Sequence, residues 1–344
     1  MTKVFVGMSG GVDSSVAAAL LVEQGYDVTG VYMKNWSEDL PGMHCPWADD
    51  VADAKRVAVN LGIDFQVFDF QEEYKQKVVE YMIAEYQAGR TPNPDIMCNQ
   101  EVKFKLFLEA ALENGAECIA TGHYARTSNG RLLRACDDSK DQTYFLYRVT
   151  TEALVKTLFP LGDYTKIEVR QLAKDRNLWT ADKKESMGIC FVGQVGIREF
   201  LSEYVTTEPG DIVDKQTGVV VGRHDGAIFY TLGQRHGLNV GGGLPYYVVG
   251  KDMAKNEVYV SRSIDDENLW RQDIPLGDIH WINQAPPENS QVQARLRHRG
   301  ALIDAIYSAG TLHLASAERA VAPGQSAVLY DGEVCLGGGI IQTD

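Results

Sequence analysis

The sequence predicts an α/β protein: a doubly wound, mostly parallel sheet, followed by a β-rich central module and a C-terminal antiparallel β-barrel. Three observations predict it. Across residues 3–124, short apolar, β-branched runs alternate with helix-like stretches, the pattern of strands covered by helices on both faces. The first of these runs passes directly into a glycine-rich turn and a helix. From Pro209 onward the text changes to Gly-rich turn dipeptides between short alternating runs, as in antiparallel sheets.

Residues 3–8 read as the first strand, and residues 14–24 as a helix that is apolar on every side, as a helix packed on a sheet would be. A second strand is expected over 26–34, a helix over 49–61, a third strand over 65–70 and a long helix over 72–86. Another helix begins near Asn99, with Phe104, Phe107, Leu108, Ala111 and Leu112 at helical spacing, and residues 117–124 form a further strand. Near the C-terminus, residues 327–330 and 333–336 flank Asp331-Gly332, a strong hairpin signal, with Pro323-Gly324 marking the turn before it. Residues 292–307 read as another hairpin around Gly300. Domains are expected over 1–200, 201–268 and 269–344.

A chain of 344 residues with 44% hydrophobic and 23% charged residues suits an ordinary globular protein of about two or three domains. No apolar run approaches the roughly 18–20 residues that span a bilayer. The first strand starts so near Met1 that no targeting segment is expected, and a cytoplasmic location follows. The six cysteines (Cys45, Cys98, Cys118, Cys136, Cys190, Cys335) form no CxxC and no zinc-type spacing, so in a reducing compartment they are expected as thiols. The net charge of −14 argues against generic polyanion binding, which depends on neutralising phosphates. A nucleic acid would need a local basic surface. Arg295-Leu296-Arg297-His298-Arg299 offers one, although a solvated strand face reads equally well.

The strongest chemical signal is the strand-to-helix loop Gly7-Met8-Ser9-Gly10-Gly11-Val12-Asp13-Ser14-Ser15. Its glycines allow a tight turn and close approach to an anion. The helix that follows offers unpaired backbone N–H groups and the positive end of its dipole, and the hydroxyls of Ser9, Ser14 and Ser15 add donors. The Walker lysine is missing, so pyrophosphate is expected to be held as a leaving group rather than the terminal phosphoryl transferred. Asp13 suits Mg²⁺. Two cysteines stand out beside this loop. Cys98 follows the polar, proline-held stretch Arg90–Met97 and precedes the helix expected from Asn99, a position that favours thiolate. Asp95 could orient a substrate or move a proton. A buried small hydrophobe is the alternative for Cys98. Cys190, in a glycine-flanked stretch downstream of Lys183 and Lys184, could pair with Cys98 in a catalytic cycle, one thiol carrying sulfur and the other resolving it.

The loop SGGVDSS resembles that of the PP-loop, N-type ATP pyrophosphatases, which split ATP into AMP and pyrophosphate and attach AMP to an oxygen. Within that group the chain is similar to the tRNA 2-thiouridylase family along essentially its whole length. The likeness runs through GMSGGVDSSVAA, VYMKNW, TPNPDIMCNQ, ATGHYAR, KDQTYFL, ESMGICFVG, YTLGQRHGL and PGQSAVLY. The resemblance implies that Gly7–Ser14 bind the ATP phosphates and that Met33 and Gly122 line the adenosine pocket. Cys98 would be the nucleophile and Cys190 the persulfide carrier. Asn93, Pro94 and Asp95 would contact the target base. His123, Lys140, Asp141, Gln142, Arg297, His298 and Gln325 would contact the tRNA, although Lys140–Gln142 also reads as a charged turn and Gln325 as a turn residue. The implied substrate is the wobble uridine in the anticodon stem-loop of Lys-, Glu- and Gln-type tRNAs. A cysteine desulfurase or sulfur-relay protein would supply sulfur to a monomeric enzyme. The competing readings are another PP-loop enzyme, such as an amide-forming synthetase or a 4-thiouridine or lysidine enzyme, and a non-catalytic RNA-binding protein.

Overall fold

The computed structural model of the chain describes residues 1–39, 45–184, 196–238, 240–241 and 245–343. Strands β1 (Lys3–Gly7), β2 (Asp27–Lys34), β3 (Asp64–Asp69) and β4 (Cys118–Thr121) carry the expected apolar runs. A short hairpin of β5 (Arg126–Ser128) and β6 (Arg131–Leu133) and the brief β7 (Thr157–Leu158) follow. Strands β1 to β4 and β7 form one sheet in the order β3-β2-β1-β4-β7, parallel throughout. The chain winds outward from β1 to β3 and then restarts on the other side of β1 with β4. That reversal leaves a crevice beyond the C-terminal ends of β1 and β4, where open α/β sheets place their ligands.

Both faces of the sheet are covered, which is why β1 reads as an unbroken apolar run. Val4 and Val6 pack with helix α1 (Val12–Glu23), with Ala54 and Val57 of α2 (Trp47–Leu61), and with the Lys166–Asp175 helix. Phe5 and Val31 face the other way, against the helices over 71–87 and 94–113. The second of these corrects an expectation. It begins at Pro94 rather than Asn99, because the Asn93 side chain accepts a hydrogen bond from the Asp95 amide (3.1 Å) and Pro94 occupies the first helical position. The stretch Cys98–Leu106 within it is π-helical.

Strands β8 (Gly210–Asp214), β9 (Val220–His224), β10 (Tyr247–Asp252) and β11 (Glu257–Ser261) form a separate sheet in the order β10-β11-β8-β9, with its own core of Ile212, Val248, Val258 and Val260. Next come β12 (Trp270–Trp281), β13 (Ser290–Arg295), β14 (Ile303–Ser308), β15 (Thr311–Arg319), β16 (Ser326–Asp331) and β17 (Val334–Ile341). These pair antiparallel, and β12 also pairs with β17, so the six strands close into the expected barrel. Gly332 takes φ 57° in the turn between β16 and β17.

Among the links that join the barrel to the first sheet's module, two were not apparent in the sequence. The β5–β6 hairpin extends the barrel sheet through Leu133 opposite Val334 and Leu132 opposite Cys335. The second link is a buried ion pair. Arg295 Nη1 on β13 lies 2.8 Å from Asp141 Oδ2, with the two side chains 7% and 0% exposed. The Asp141 carboxylate also accepts from the Ala135 amide (3.2 Å) and the Thr143 hydroxyl (2.9 Å), while the guanidinium lies over the Tyr330 ring. Removing one member of such a pair strands a buried charge. Arg295→Met is therefore expected to destabilise the protein by about 3–5 kcal/mol, and adding Asp141→Asn should recover most of that loss. Thermal unfolding checks this; a single variant as stable as the parent would contradict it.

Candidate active site

The loop after β1 is shaped by backbone proximity. Gly10 has φ +74°, and a Cβ there would lie 2.5 Å from the Asp50 carbonyl oxygen at the start of α2. Gly122, just past β4, abuts the start of α1, where a Cβ would lie 2.7 Å from the Ser14 amide nitrogen. At Gly7 a Cβ would come within 2.9 Å of Met33 Cε, so the residues expected around adenosine and those of the loop adjoin. Helix α1 has Gly11 as its N-cap and no side-chain cap, which leaves its first N–H groups without a side-chain acceptor. Met8 and Val12 are buried, so their contribution to a ligand comes through the backbone. The serines divide. Ser9 lines the cleft, whereas the Ser15 hydroxyl, expected to face an anion, is buried and donates to Gly11 O (2.8 Å). The Ser14 hydroxyl donates to the same carbonyl (3.2 Å) and accepts from the Ser9 amide (3.2 Å), bracing the turn.

The cleft at this helix start has a volume of about 280 Å³ and brings Ser9, Gly11 and Asp13 together with Lys140, Gln142 and His298. Residues from distant parts of the chain thus converge on one cleft. Gln142 also fixes the cleft wall, its Oε1 accepting from the Tyr124 amide (2.8 Å). Asp141 does not reach the cleft, since its carboxylate is buried on Arg295. His123 is withdrawn as well. Its Nδ1 meets Thr121 Oγ1 (2.8 Å), its ring packs with Phe104 and Phe159, and burial together with Lys103 pulls its pKa well below the usual imidazole value. Arg297 and Gln325 line a different, smaller pocket on the barrel.

Sequence reasoning missed Lys166 altogether, and read Lys183 only as a neighbour of Cys190, although both line the cleft. Lys166 Nζ lies 2.7 and 2.8 Å from the two Asp13 carboxylate oxygens, and the Tyr124 hydroxyl donates to Oδ1 (2.9 Å). Lys166 opens a helix whose Thr165/Glu168 capping box is legible in the sequence. Nothing local pointed across the chain to Asp13, however. Lys183 Nζ holds Asp50 and Asp53 at 2.8 Å each. Burial lowers its pKa, but the two acids outweigh burial and raise it. Asp13, the expected metal ligand, is thus already engaged. Among the described residues no group of three or more His, Cys, Asp or Glu side chains could hold a metal ion.

Cys98 is buried, 1% exposed, in the second turn of the 94–113 helix rather than at its start, so the expected help from the helix dipole largely falls away. Its neighbour Asn99 donates from Nδ2 to Phe145 O (3.1 Å), tying this turn to the Thr143–Leu146 helix that continues from the cleft wall. Cys190 lies outside the described residues. Burial raises the pKa of Cys45, Cys118 and Cys136, and that of buried Cys335 is raised furthest.

A parallel sheet whose switch point holds a glycine turn, an uncapped helix start and a lysine-lined cleft defines a phosphate-binding α/β protein, here with a β module and a closed barrel appended. Residues 2–194 match the family described as tRNA methyl transferase HUP domain. Residues 198–262 match the tRNA methyl transferase PRC-barrel domain, and residues 271–341 the aminomethyltransferase beta-barrel domain. The chain is 46% identical to tRNA-specific 2-thiouridylase MnmA of Bacillus subtilis over 99% of its length and 95% of the relative's. It is 47% identical to that of Chromobacterium violaceum (99% and 92%) and 48% identical to that of Oceanobacillus iheyensis (99% and 95%). The chain belongs to the MnmA family of tRNA-specific 2-thiouridylases.

His298 gives this site a measurable signature. Its ring packs 4.4 Å from that of Phe145, and burial, then Arg299 and Arg295, push its pKa down to about 4. It is neutral at pH 7. In an NMR titration its ring protons should shift near pH 4, and a midpoint at the ordinary imidazole value would contradict this placement.

Proposed function

We propose that the chain is a tRNA 2-thiouridine synthase, which adenylates the C2 oxygen of a wobble uridine with ATP and replaces it with sulfur. The observation that carries this reading is full-length similarity to tRNA-specific 2-thiouridylases in a chain whose phosphate loop opens an uncapped helix into a cationic cleft. C2 of uridine is urea-like, and its oxygen cannot leave unaided. Joining that oxygen to AMP turns it into a leaving group, with pyrophosphate released where the α1 N–H groups and cleft lysines can hold it. Lys166 takes the place of the absent Walker lysine. Mg²⁺ would arrive on the nucleotide phosphates, with Asp13 able to serve as a ligand in exchange for its lysine partner.

Sulfur transfer uses the two thiols. The terminal sulfur of a Cys190 persulfide attacks C2, the C2–S bond forms, and the C2–O bond to AMP breaks. The Cys98 thiolate then attacks the Cys190 sulfur, breaks the S–S bond and frees the thiolated RNA. A Cys98–Cys190 disulfide remains, which a thiol reductant returns to two thiols. Burial of Cys98 means that its helical turn shifts when RNA binds. The persulfide would be loaded by a cysteine desulfurase or sulfur-relay protein, in the cytoplasm, on a monomeric enzyme. In this reading Asn93, Pro94 and Asp95 meet the flipped uridine. Lys140, Gln142 and His298 hold the RNA at the cleft, and Arg297 and Gln325 hold it at the barrel. Asp141 and His123 act from behind, by positioning their neighbours. The tRNA set is that of Lys-, Glu- and Gln-type anticodons, and the working domains are 1–200, 201–268 and 269–344.

Cys98→Ser and Cys190→Ser should each abolish 2-thiouridine, measured by nucleoside mass spectrometry, while the adenylated tRNA intermediate still forms, with tRNA-dependent release of pyrophosphate. Full thiolation by either variant would sink the two-thiol scheme. Lys166→Ala should slow AMP and pyrophosphate release by about 100-fold; an unchanged rate would remove Lys166 from the phosphate site.

A further inference from the structure

The segment joining the 71–87 and 94–113 helices runs where all three parts of the chain meet, and its hydrogen bonds converge on Thr91. The Thr91 amide donates to Pro323 O (2.9 Å), and its carbonyl accepts from Gln325 Nε2 (2.7 Å); both partners lie between β15 and β16 of the barrel. The Thr91 hydroxyl pairs with that of Thr231 (3.2 Å), in the central module. The fit is close. Gly324 has φ +90°, and a Cβ there would lie 2.7 Å from the Thr91 nitrogen. On the upstream side, Arg90 forks onto the Glu85 carboxylate, anchoring the segment to the preceding helix. Two residues downstream of Thr91, the Asn93 side chain caps the helix that carries Asp95 and Cys98. The placement of Thr91 therefore sets where that helix begins.

Gln325 also faces away from Thr91. It lines the small barrel pocket with Arg297 and Arg319, neither of which has an ion-pair partner among the described residues. The carboxamide has a second N–H and an acceptor oxygen beyond the N–H given to Thr91. Two guanidinium groups and a carboxamide, against the single carboxylate of Glu318, leave this concavity net positive, which suits the phosphates and 2′-hydroxyls of a folded RNA.

We propose that Thr91 is a positioning residue for thiolation: RNA held at the Arg297–Arg319–Gln325 pocket sets the Asn93–Cys98 turn through the Gln325–Thr91 bond. Thr91 touches no reacting group and acts through the helix start it fixes. This rests on the tRNA-thiolating function proposed above. It adds that the barrel is part of the catalytic geometry as well as a handle for the RNA.

The test uses the full-length protein, ATP, a cysteine desulfurase with cysteine, and an unmodified tRNA transcript with uridine at the wobble position. Thr91→Val removes the hydroxyl bond without touching the RNA pocket. It should lower kcat for 2-thiouridine formation by about 10–100-fold, the cost of a misplaced reacting group. The dissociation constant for the transcript and the unfolding temperature should stay at the parent's values. Thr91→Ser keeps the hydroxyl and should restore kcat. Gln325→Met should weaken transcript binding and lower kcat, and the double variant should have a kcat no lower than Gln325→Met alone, since both changes act on one residue. A parental kcat for Thr91→Val would overturn the proposal. So would kcat losses that multiply in the double variant, or a fall in kcat explained by lost folding. If the parent protein itself makes no 2-thiouridine, the function proposed above fails instead.

Discussion

A helix that begins without a side-chain cap inside a folded protein is the constraint on which the rest of this structure depends. The N-terminus of α1 points its unsatisfied N–H groups into the crevice where the parallel sheet reverses. Two backbone approaches hold it there, Gly10 against Asp50 and Gly122 against Ser14, each too close for a Cβ. The surrounding cations make sense only against that opening. Lys166 sits on Asp13 and Lys183 on Asp50 and Asp53, so positive charge is stored beside the helix start, balanced by acids. A polyanion can replace those acids without fresh positive charge having to be assembled.

The acidic balance of the chain, −14 overall, is reconciled with an RNA substrate by locality. Lys140, Lys184 and Arg299 gather at the cleft, and Arg297 and Arg319 gather at the barrel pocket. The barrel is joined to the first module by three different kinds of interaction: a strand pairing at β6 and β17, the buried Asp141–Arg295 ion pair, and the backbone bonds of Thr91. Asp141 sits beside Lys140 in one cleft-lining loop, and Arg295 ends the strand that leads to His298. The role of the ion pair is thus to hold two cleft-lining turns in register from behind.

Much of this was legible in the sequence because it rests on local rules. β1 followed by Ser9-Gly10-Gly11 fixes a strand, a tight turn and a helix start within a few residues, and Asp331-Gly332 fixes a hairpin. Misreadings arose where a side chain acts at a distance or where two local signals compete. A helix starting at Asn99 places Pro94 outside it, yet Pro is equally suited to the first helical position, and Asn93 as a cap decides the matter. That shift moves Cys98 from a helix start into the core. Lys166 was missed because its partner Asp13 lies 153 residues away in the sequence, on a neighbouring helix, and only the fold brings them together. Asp141 reads as a charged turn residue, since no local pattern shows that Arg295 will bury it.

The central claim is that the loop before α1 serves to make the uridine oxygen a leaving group. Preparing a tRNA with ¹⁸O at the C2 carbonyl of the wobble uridine tests it most directly. Under turnover with ATP and a sulfur source, the label should appear in AMP, one atom for each 2-thiouridine formed. Recovery of the label in water or in inorganic phosphate, with AMP unlabelled, would contradict it.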